Sequence, residues 1–257
     1  QNRPLFPFYT FLFIDCLYVP MKTDRALKQK AVYVILGYDI NGEKDILGIW
    51  INETEGKHTW MQIFDEIKNR GVQDIGFISM DGVSGLEEGA AAIFPGTVVQ
   101  RCIVHLIRNS MRYIPWNKSR EFLKELKEIY KATNVAEARR LFEKFKGKWA
   151  AYPGAIAVWK NNFQHVEQLF NYGSNVRRVM YTTNAIESIN SSFRKVTRKG
   201  SFANDEAILK LLYLRVLELK NTKWKGKGKV FNWQAVMNQL LIDERMSKLI
   251  AKYDWLI

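Results

Sequence analysis

The chain has 257 residues, 47% of them hydrophobic and 25% charged, and this composition excludes a disordered or collagen-like protein. No apolar run reaches about 18 residues and the first residues do not read as a signal peptide, so we expect a cytoplasmic protein. The formal net charge of +13 disfavours cationic partners and favours polyanions.

The first part of the chain alternates between predicted strands and helices. β-Branched and aromatic residues indicate three early strands, and Asn41-Gly42 between the second and third is a strong hairpin signal. Apolar residues then recur at spacings of three and four from His58 to Arg70, which predicts a helix that Gly71 ends. Strands and helices alternate after that point. The predicted strands are 9–19, 31–39, 45–52, 75–80 and 97–102. An antiparallel meander followed by strand-helix alternation predicts an α/β fold with a mixed sheet and flanking helices.

Beyond Met111 the periodicity is almost entirely helical. We interpret residues 112–178 as an all-helical insertion, because its apolar residues have helical spacing and its charges pair four residues apart. The predicted helices of the insertion are 118–132, 134–150 and 155–170, and those of the tail are 184–198, 204–220 and a last helix from about 232.

The positive charge is concentrated in the second part of the chain. Residues 1–110 hold 11 Lys or Arg and 13 Asp or Glu, whereas residues 111–257 hold 28 and 13. Lys and Arg release condensed counterions when they neutralise phosphates, so this half favours DNA or RNA as a partner. The alternative is that the charge only keeps the protein soluble.

Two aspartates suggest chemistry. Asp15 interrupts an apolar strand, where an unpartnered carboxylate is costly, and Asp81 stands at the exit of the fourth strand. If the first and fourth strands lie side by side, the two carboxylates can meet and hold Mg²⁺ or Mn²⁺ as hard oxygen ligands. The alternative is that Asp15 pairs with a lysine and that Asp81 only caps the following helix.

A third acid, Glu187, lies among basic residues. Such a cluster next to a metal site would hold a phosphate backbone, whereas the Asn184-to-Glu187 spacing also fits a simple capping box. The predicted DNA-binding residues are Arg177, Arg178, Arg194, Lys195, Arg198, Lys199, Lys223, Trp224 and Lys225.

The tryptophans of the basic half allow two interpretations. They can stack on unpaired bases near a cleaved end, or they can pack in a core, and helical spacing favours the core for all except Trp224. The residues concerned are Trp116, Trp149, Trp159, Trp224 and Trp233.

Four segments in order resemble the signature blocks of Mutator-type bacterial insertion-sequence transposases. These are IDCLYV around Asp15, MDGVSGL around Asp81, QRCIVHLIRN around Cys102 and His105, and RRVMYTTNAIESINSSFRKVTRKGSF around Glu187. The resemblance implies a ribonuclease H-like core interrupted by a helical insertion, with an Asp, Asp, Glu metal triad at Asp15, Asp81 and Glu187.

The resemblance also implies the organisation of the chain. The chain is expected to divide into a first part of the core at 1–111, the insertion at 112–178, and a completion of the core at 179–257. This last part carries the catalytic glutamate helix. Cys102 and His105 match the family's Cys-x-x-His signature and are expected to support the active site, although a packed core histidine fits as well. A zinc site is not expected, because no second ligand pair is visible.

The activity that the resemblance implies is DNA transposition. Two Mg²⁺ or Mn²⁺ ions, with Asp15 bridging them, would serve strand cleavage and strand transfer on double-stranded transposon ends and target DNA, without a small-molecule cofactor. A homodimer that associates with the nucleoid is expected. Family members normally carry an N-terminal DNA-binding region before the core, and this chain begins just before the first strand, so we expect a catalytic fragment or a truncated copy.

Two other functions remain open from the sequence. A ribonuclease H-like nuclease or resolvase without strand transfer would use the same acids. A domesticated, non-catalytic DNA-binding protein would share the basic half but has no need of Asp15, Asp81 and Glu187.

Overall fold

The computed structural model describes residues 2–22, 27–52, 56–82, 84–182, 184–198, 200–222, 224 and 228–257. The chain forms two compact units. Unit 1 consists of residues 1–99 and 183–257, and unit 2 consists of residues 100–182. The insertion expected at 112–178 lies within unit 2, and the three-part division expected from the sequence stays a prediction.

A five-stranded mixed sheet organises the fold. The strands are β1 (Phe8–Lys22), β2 (Leu27–Asp39), β3 (Lys44–Asn52), β4 (Asp74–Met80) and β5 (Val98–Arg101), in the spatial order β3-β2-β1-β4-β5. β2 is antiparallel to both β1 and β3, which confirms the predicted meander. β4 lies parallel to β1, so the first and fourth strands are neighbours. The sequence prediction of a mixed α/β sheet is therefore confirmed.

The hairpin between β2 and β3 turns where the sequence predicted. Gly42 has a φ of +74°, a left-handed conformation that glycine adopts without strain. The Asp39 carboxylate accepts hydrogen bonds from the backbone N–H groups of Asn41 and Glu43, both at 2.9 Å. Trp233 packs on the open face of Gly42, where a Cβ atom would lie 2.4 Å from the indole.

One face of the sheet is covered by helix α1 (Lys57–Asn69). Its buried residues Trp60, Ile63, Phe64 and Ile67 are the predicted periodic set, and they join the core formed by the inward side chains of the strands. Gly71, with a φ of +115°, follows this helix as expected. Helix α2 (Leu86–Ile93) then ends before Pro95.

Unit 1 is completed by four helices from the end of the chain. They are α9 (Asn184–Thr197), α10 (Asp205–Asn221), α11 (Trp233–Leu240) and α12 (Glu244–Lys252). The expectation of one last helix from about 232 is wrong, because two helices, α11 and α12, follow that position. Asp243 separates them, because its carboxylate accepts the backbone N–H of Met246 at 2.8 Å and starts α12.

Unit 2 is helical, apart from the end of β5. Its helices are α3 (Ile103–Met111), α4 (Ser119–Tyr130), α5 (Val135–Lys148), α6 (Pro153–Lys160), α7 (Phe163–Gln168) and α8 (Ser174–Tyr181). The single helix expected at 155–170 is wrong, because Asn161 and Asn162 separate α6 from α7 and the Asn162 amide donates to the Val158 carbonyl at 2.8 Å.

The tryptophans divide between core and surface. Trp149, Trp159 and Trp233 are buried, as helical spacing predicted. The same expectation is wrong for Trp116, whose side chain is 92% exposed in a 3₁₀ turn at Trp116–Lys118. No helix in the described ranges combines the length and the apolar character that crossing a bilayer requires.

Candidate active site

Asp15 lies near the middle of β1 and is only 9% exposed. Its Oδ1 accepts the backbone N–H of Cys16 at 2.9 Å, and its Oδ2 accepts the side-chain amide of Asn190 at 2.6 Å. Hydrogen bonds to a carboxylate offset part of the cost of removing it from water. The strand therefore tolerates an acid where a purely apolar pattern would place a hydrophobic residue.

Asp81 directly follows β4. The parallel register pairs Ile14 with Met80, so the positions of Asp15 and Asp81 are the next pair along the two strands. The Asp81 carboxylate accepts the backbone N–H of Gly82 at 2.8 Å, and the residue is half-buried. The strand adjacency on which the predicted aspartate pair depends is present.

Glu187 lies in the first turn of α9, where it is half-buried. Asn184 is itself within the described helix, so it does not precede the helix as the cap of a capping box would. Residues three apart share a helix face, which places Glu187 beside Asn190. Because the Asn190 amide donates to Asp15, the face of α9 that carries Glu187 packs on β1.

The three acids thus lie on elements of unit 1 that pack on β1 or belong to it, but their carboxylates do not form a single cluster. Within the described ranges, no three His, Cys, Asp or Glu side chains are grouped closely enough to hold a metal ion. In this conformation Asp15 and Asp81 turn toward neighbouring N–H donors.

The donor chemistry nevertheless fits a hard divalent cation. Three carboxylates are the ligand type that Mg²⁺ and Mn²⁺ prefer. The buried side-chain oxygen of Asn190, next to Asp15, has no hydrogen-bond partner among the described residues. An amide oxygen of this kind is also a hard ligand, so the surroundings of Asp15 suit a cation.

Cys102 and His105 belong to unit 2, whereas the three acids belong to unit 1. Cys102 is a buried cysteine outside any disulfide at the start of α3, and His105 is half-buried in the first turn of that helix. Their expected support of the acids stays a prediction.

The predicted DNA-binding residues have different surroundings. Arg194, Lys195 and Arg198 are exposed at the end of α9 in unit 1, and Arg178 is exposed on α8 in unit 2. Arg177 instead donates to the Ala132 carbonyl at 3.0 Å.

Arg177 and Trp224 of this basic set both take part in cation–π contacts. The guanidinium of Arg177 also lies over the Phe170 ring at 4.8 Å, and burial lowers its pKa. Trp224 is half-buried beneath the Lys44 ammonium, 4.7 Å from the ring centre. Lys199, Lys223 and Lys225 lie outside the described residues.

Asn190 is the residue that sequence reasoning missed. A polar residue in a helix interior attracts little attention by itself. The available signal was its position three residues after Glu187, because that spacing puts it on the same helix face.

Comparison with known proteins gives a consistent result. The family model described as "Transposase, Mutator family" matches residues 1–226. The transposase for insertion sequence element ISRM3 of Rhizobium meliloti (strain 1021) is 42% identical over 228 residues, which are 88% of this chain and 57% of that protein. A probable insertion-sequence transposase of Corynebacterium diphtheriae is 34% identical over 261 residues, covering 94% of this chain and 76% of that protein.

A more distant similarity extends to other bacteria. The transposase for IS256 in transposon Tn4001 of Staphylococcus aureus is 29% identical over 191 residues, which are 73% of this chain and 48% of that protein. The chain therefore spans about half the length of several of the curated relatives that it matches.

Proposed function

The chain belongs to the Mutator family of transposases, and we propose that it carries the catalytic core of a DNA transposase. In this proposal the protein cleaves DNA strands at the ends of a mobile element and joins the freed ends to target DNA. Double-stranded element ends and target DNA are its substrates.

One observation carries the proposal. The hydrogen bond of 2.6 Å between Asn190 and Asp15 fastens the Glu187 helix to β1, and the parallel register sets Asp81 beside Asp15. Acids separated widely along the chain thereby reach one region of unit 1. A purely structural role would not require three acids in that region, since burying carboxylates lowers stability unless each is compensated.

We also propose that unit 1 is a ribonuclease H-like core. The support is the meander of β1 to β3, the addition of β4 parallel to β1, and the packing of a carboxylate-bearing helix on β1. In this proposal the acid in mid-strand and the acid at the strand exit belong to one site.

The proposed ligands of the metal are Asp15, Asp81 and Glu187, and the ions are two Mg²⁺ or Mn²⁺. When bound, such ions supply positive charge that activates water and stabilises the attacking and leaving oxygens of a phosphodiester.

The remaining contribution of the chain is to orient the acids and to bind phosphate. Asn190 holds Asp15 from the helix side, and the Cys16 N–H holds it from the strand side. At the far end of the same helix, the exposed Arg194, Lys195 and Arg198 present cations to a DNA backbone.

A homodimer follows from the proposed reaction, because one triad per chain and two element ends require two copies to process both ends together. The expected support by Cys102 and His105 is part of the same proposal.

The decisive test is a cleavage and joining assay with the protein that contains this chain. A supercoiled plasmid carrying the ends of the element serves as donor, and a second plasmid serves as target. We expect cleavage and joined products that require Mg²⁺ or Mn²⁺ and disappear with a chelator. Asp15→Asn, Asp81→Asn and Glu187→Gln are each expected to abolish both products while retaining DNA binding.

Asp65→Asn is the matched control, because Asp65 is exposed on α1 and accepts a hydrogen bond from the side-chain amide of Asn69. This variant should cleave as the parent protein does. Cleavage retained in any of the three acid variants would remove that residue from the proposal, and cleavage without joining would indicate a nuclease.

A further inference from the structure

Trp116 is more exposed than any other large apolar side chain in the described part of the chain, at 92%. It follows Pro115 and opens the 3₁₀ turn that leads into α4 of unit 2. Leaving a whole indole in water forgoes the favourable burial of its large apolar surface. Single exposed hydrophobic side chains are common on protein surfaces, so the surroundings of Trp116 decide its role.

The backbone that carries Trp116 is fixed in place. The carbonyl of Pro115 accepts the backbone N–H of Lys118 at 3.0 Å and the hydroxyl of Ser119 at 3.1 Å. Ile114, just before the proline, is buried. The indole is therefore presented from a rigid turn, which lowers the entropy lost when a ligand orders it.

The charge around Trp116 is positive. Arg112, Lys118 and Arg120 are all exposed, and residues 112–120 contain no Asp or Glu. Unit 2 as a whole holds sixteen Lys or Arg and six Glu, with no Asp. An apolar protein partner has no need of such a surrounding, whereas phosphates do.

A second aromatic ring lies next to the turn. Tyr113 is 53% exposed and packs over Gly154, where a Cβ atom would come within 2.5 Å of the ring. The Lys118 ammonium lies 5.3 Å from the centre of the Tyr152 ring. Aromatic faces interleaved with cations are the surface that single-stranded nucleic acids use, because every base has a face on which an aromatic ring can stack.

We propose that Trp116 stacks on an unpaired base of DNA while Arg112, Lys118 and Arg120 hold the neighbouring phosphates. The inference rests on the proposed function in one respect, namely that transposition exposes unpaired bases at cleaved ends. Duplex DNA is the poorer ligand for this surface, since its base faces are covered by stacked neighbours.

The experiment compares two DNA probes of the same sequence, a short labelled single strand and its duplex, by fluorescence anisotropy with the protein that contains this chain. Trp116→Ala is expected to weaken single-strand binding about tenfold, with duplex binding nearly unchanged. Trp116→Phe should recover most of that loss, because phenylalanine keeps a stacking face. Unfolding temperatures identify any variant that has lost its fold, an outcome that the exposure of Trp116 argues against.

Trp255→Ala is the matched control. Trp255 is also exposed, at 70%, but it follows Asp254 in the sequence and lies in unit 1. The Trp255→Ala variant should bind both probes with the affinity of the parent protein. Equal losses on single strand and duplex, no loss on either probe, or a change in self-association alone would each overturn the proposal.

The strand-cleavage assay separates this inference from the proposed function. If Trp116→Ala loses single-strand affinity in a protein that cleaves no DNA, base stacking stands and the transposase mechanism fails. If the parent protein cleaves and joins DNA and Trp116→Ala binds the single strand normally, the mechanism stands and base stacking fails.

Discussion

The side-chain amide of Asn190 donates a hydrogen bond of 2.6 Å to the carboxylate of Asp15, and both residues are buried. This contact is the direct link between β1 and the helix that carries Glu187. We expect Asn190→Ala to lower the free energy of unfolding by about 1–3 kcal/mol, because a buried carboxylate loses a donor. Denaturant unfolding measures the difference.

Asn69→Ala is the comparison for that variant, since the Asn69 amide bonds Asp65 on the exposed face of α1. Its removal should change the free energy of unfolding by no more than about 0.5 kcal/mol. Equal losses in the two variants would show that the Asn190 contact has no special energetic weight.

The cations at the end of α9 should govern part of the salt dependence of DNA binding. Each of Arg194→Gln, Lys195→Gln and Arg198→Gln is expected to reduce the slope of log affinity against log salt by roughly one unit if its side chain contacts a phosphate. Duplex binding titrated over a series of salt concentrations gives the slopes. Lys248→Gln is the control, because Lys248 is exposed on α12 and pairs with Glu244. If the slope is unchanged in all three test variants, these side chains do not contact the DNA phosphates.

Gly85 immediately precedes α2 and lies four positions after Asp81 in the sequence. It has a φ of +76°, and a Cβ atom there would lie 2.2 Å from the backbone nitrogen of Lys57. Gly85→Ala is expected to lower the free energy of unfolding by about 1–2 kcal/mol from the left-handed backbone alone, and the clash adds to that loss. Gly96→Ala should be tolerated, because open space surrounds that position. Thermal unfolding measures the midpoint temperatures of the two variants. Similar midpoints for Gly85→Ala and Gly96→Ala would contradict the prediction.

The carboxyl of Asp39 in the β2–β3 hairpin should make the free energy of unfolding depend on pH. Burial raises the pKa of its carboxyl, despite the hydrogen bonds that it accepts from Asn41 and Glu43. A folded-state pKa above the unfolded value means that the folded protein binds the proton more tightly. The stabilising contribution is therefore complete below the unfolded pKa and is lost as pH rises through the folded pKa.

Asp39→Asn should remove this decrease in unfolding free energy with rising pH, because asparagine does not titrate. Its side-chain oxygen can still accept hydrogen bonds in the turn. We expect the difference in unfolding free energy between the parent and Asp39→Asn to change in the acid range and to level off toward neutral pH. Denaturant unfolding over that range measures it, and a difference that stays constant with pH would contradict the prediction.

Several elements were predictable because local pattern and tertiary burial agree. The meander follows from β-branched runs around Asn41-Gly42, and α1 follows from its apolar spacing. The breaks before α7 and α12 were not predictable from periodicity, because apolar residues continue across them while Asn162 and Asp243 bond the backbone locally.

The candidate site was predictable in its residue types more than in its geometry. Neighbouring parallel strands follow from a meander and a crossover, so the adjacency of Asp15 and Asp81 could be expected. The direction in which each carboxylate points depends on local N–H donors and on Asn190, and these contacts come from tertiary packing. The exposure of Trp116 was missed for a similar reason, because helical spacing in its neighbourhood does not tell which face a turn will leave uncovered.

The two segments of unit 1 are separated by the whole of unit 2, and the contact between Asp15 and Asn190 joins positions 175 residues apart. On the ribosome, β1 therefore emerges long before the amide that will meet its buried acid. Domains fold as their parts become available during synthesis, so α9 can dock only after residues 100–182 have been translated. A nascent chain interrupted before that point has its sheet aspartates but lacks the glutamate helix, which makes translation through α9 a precondition for assembling the candidate site.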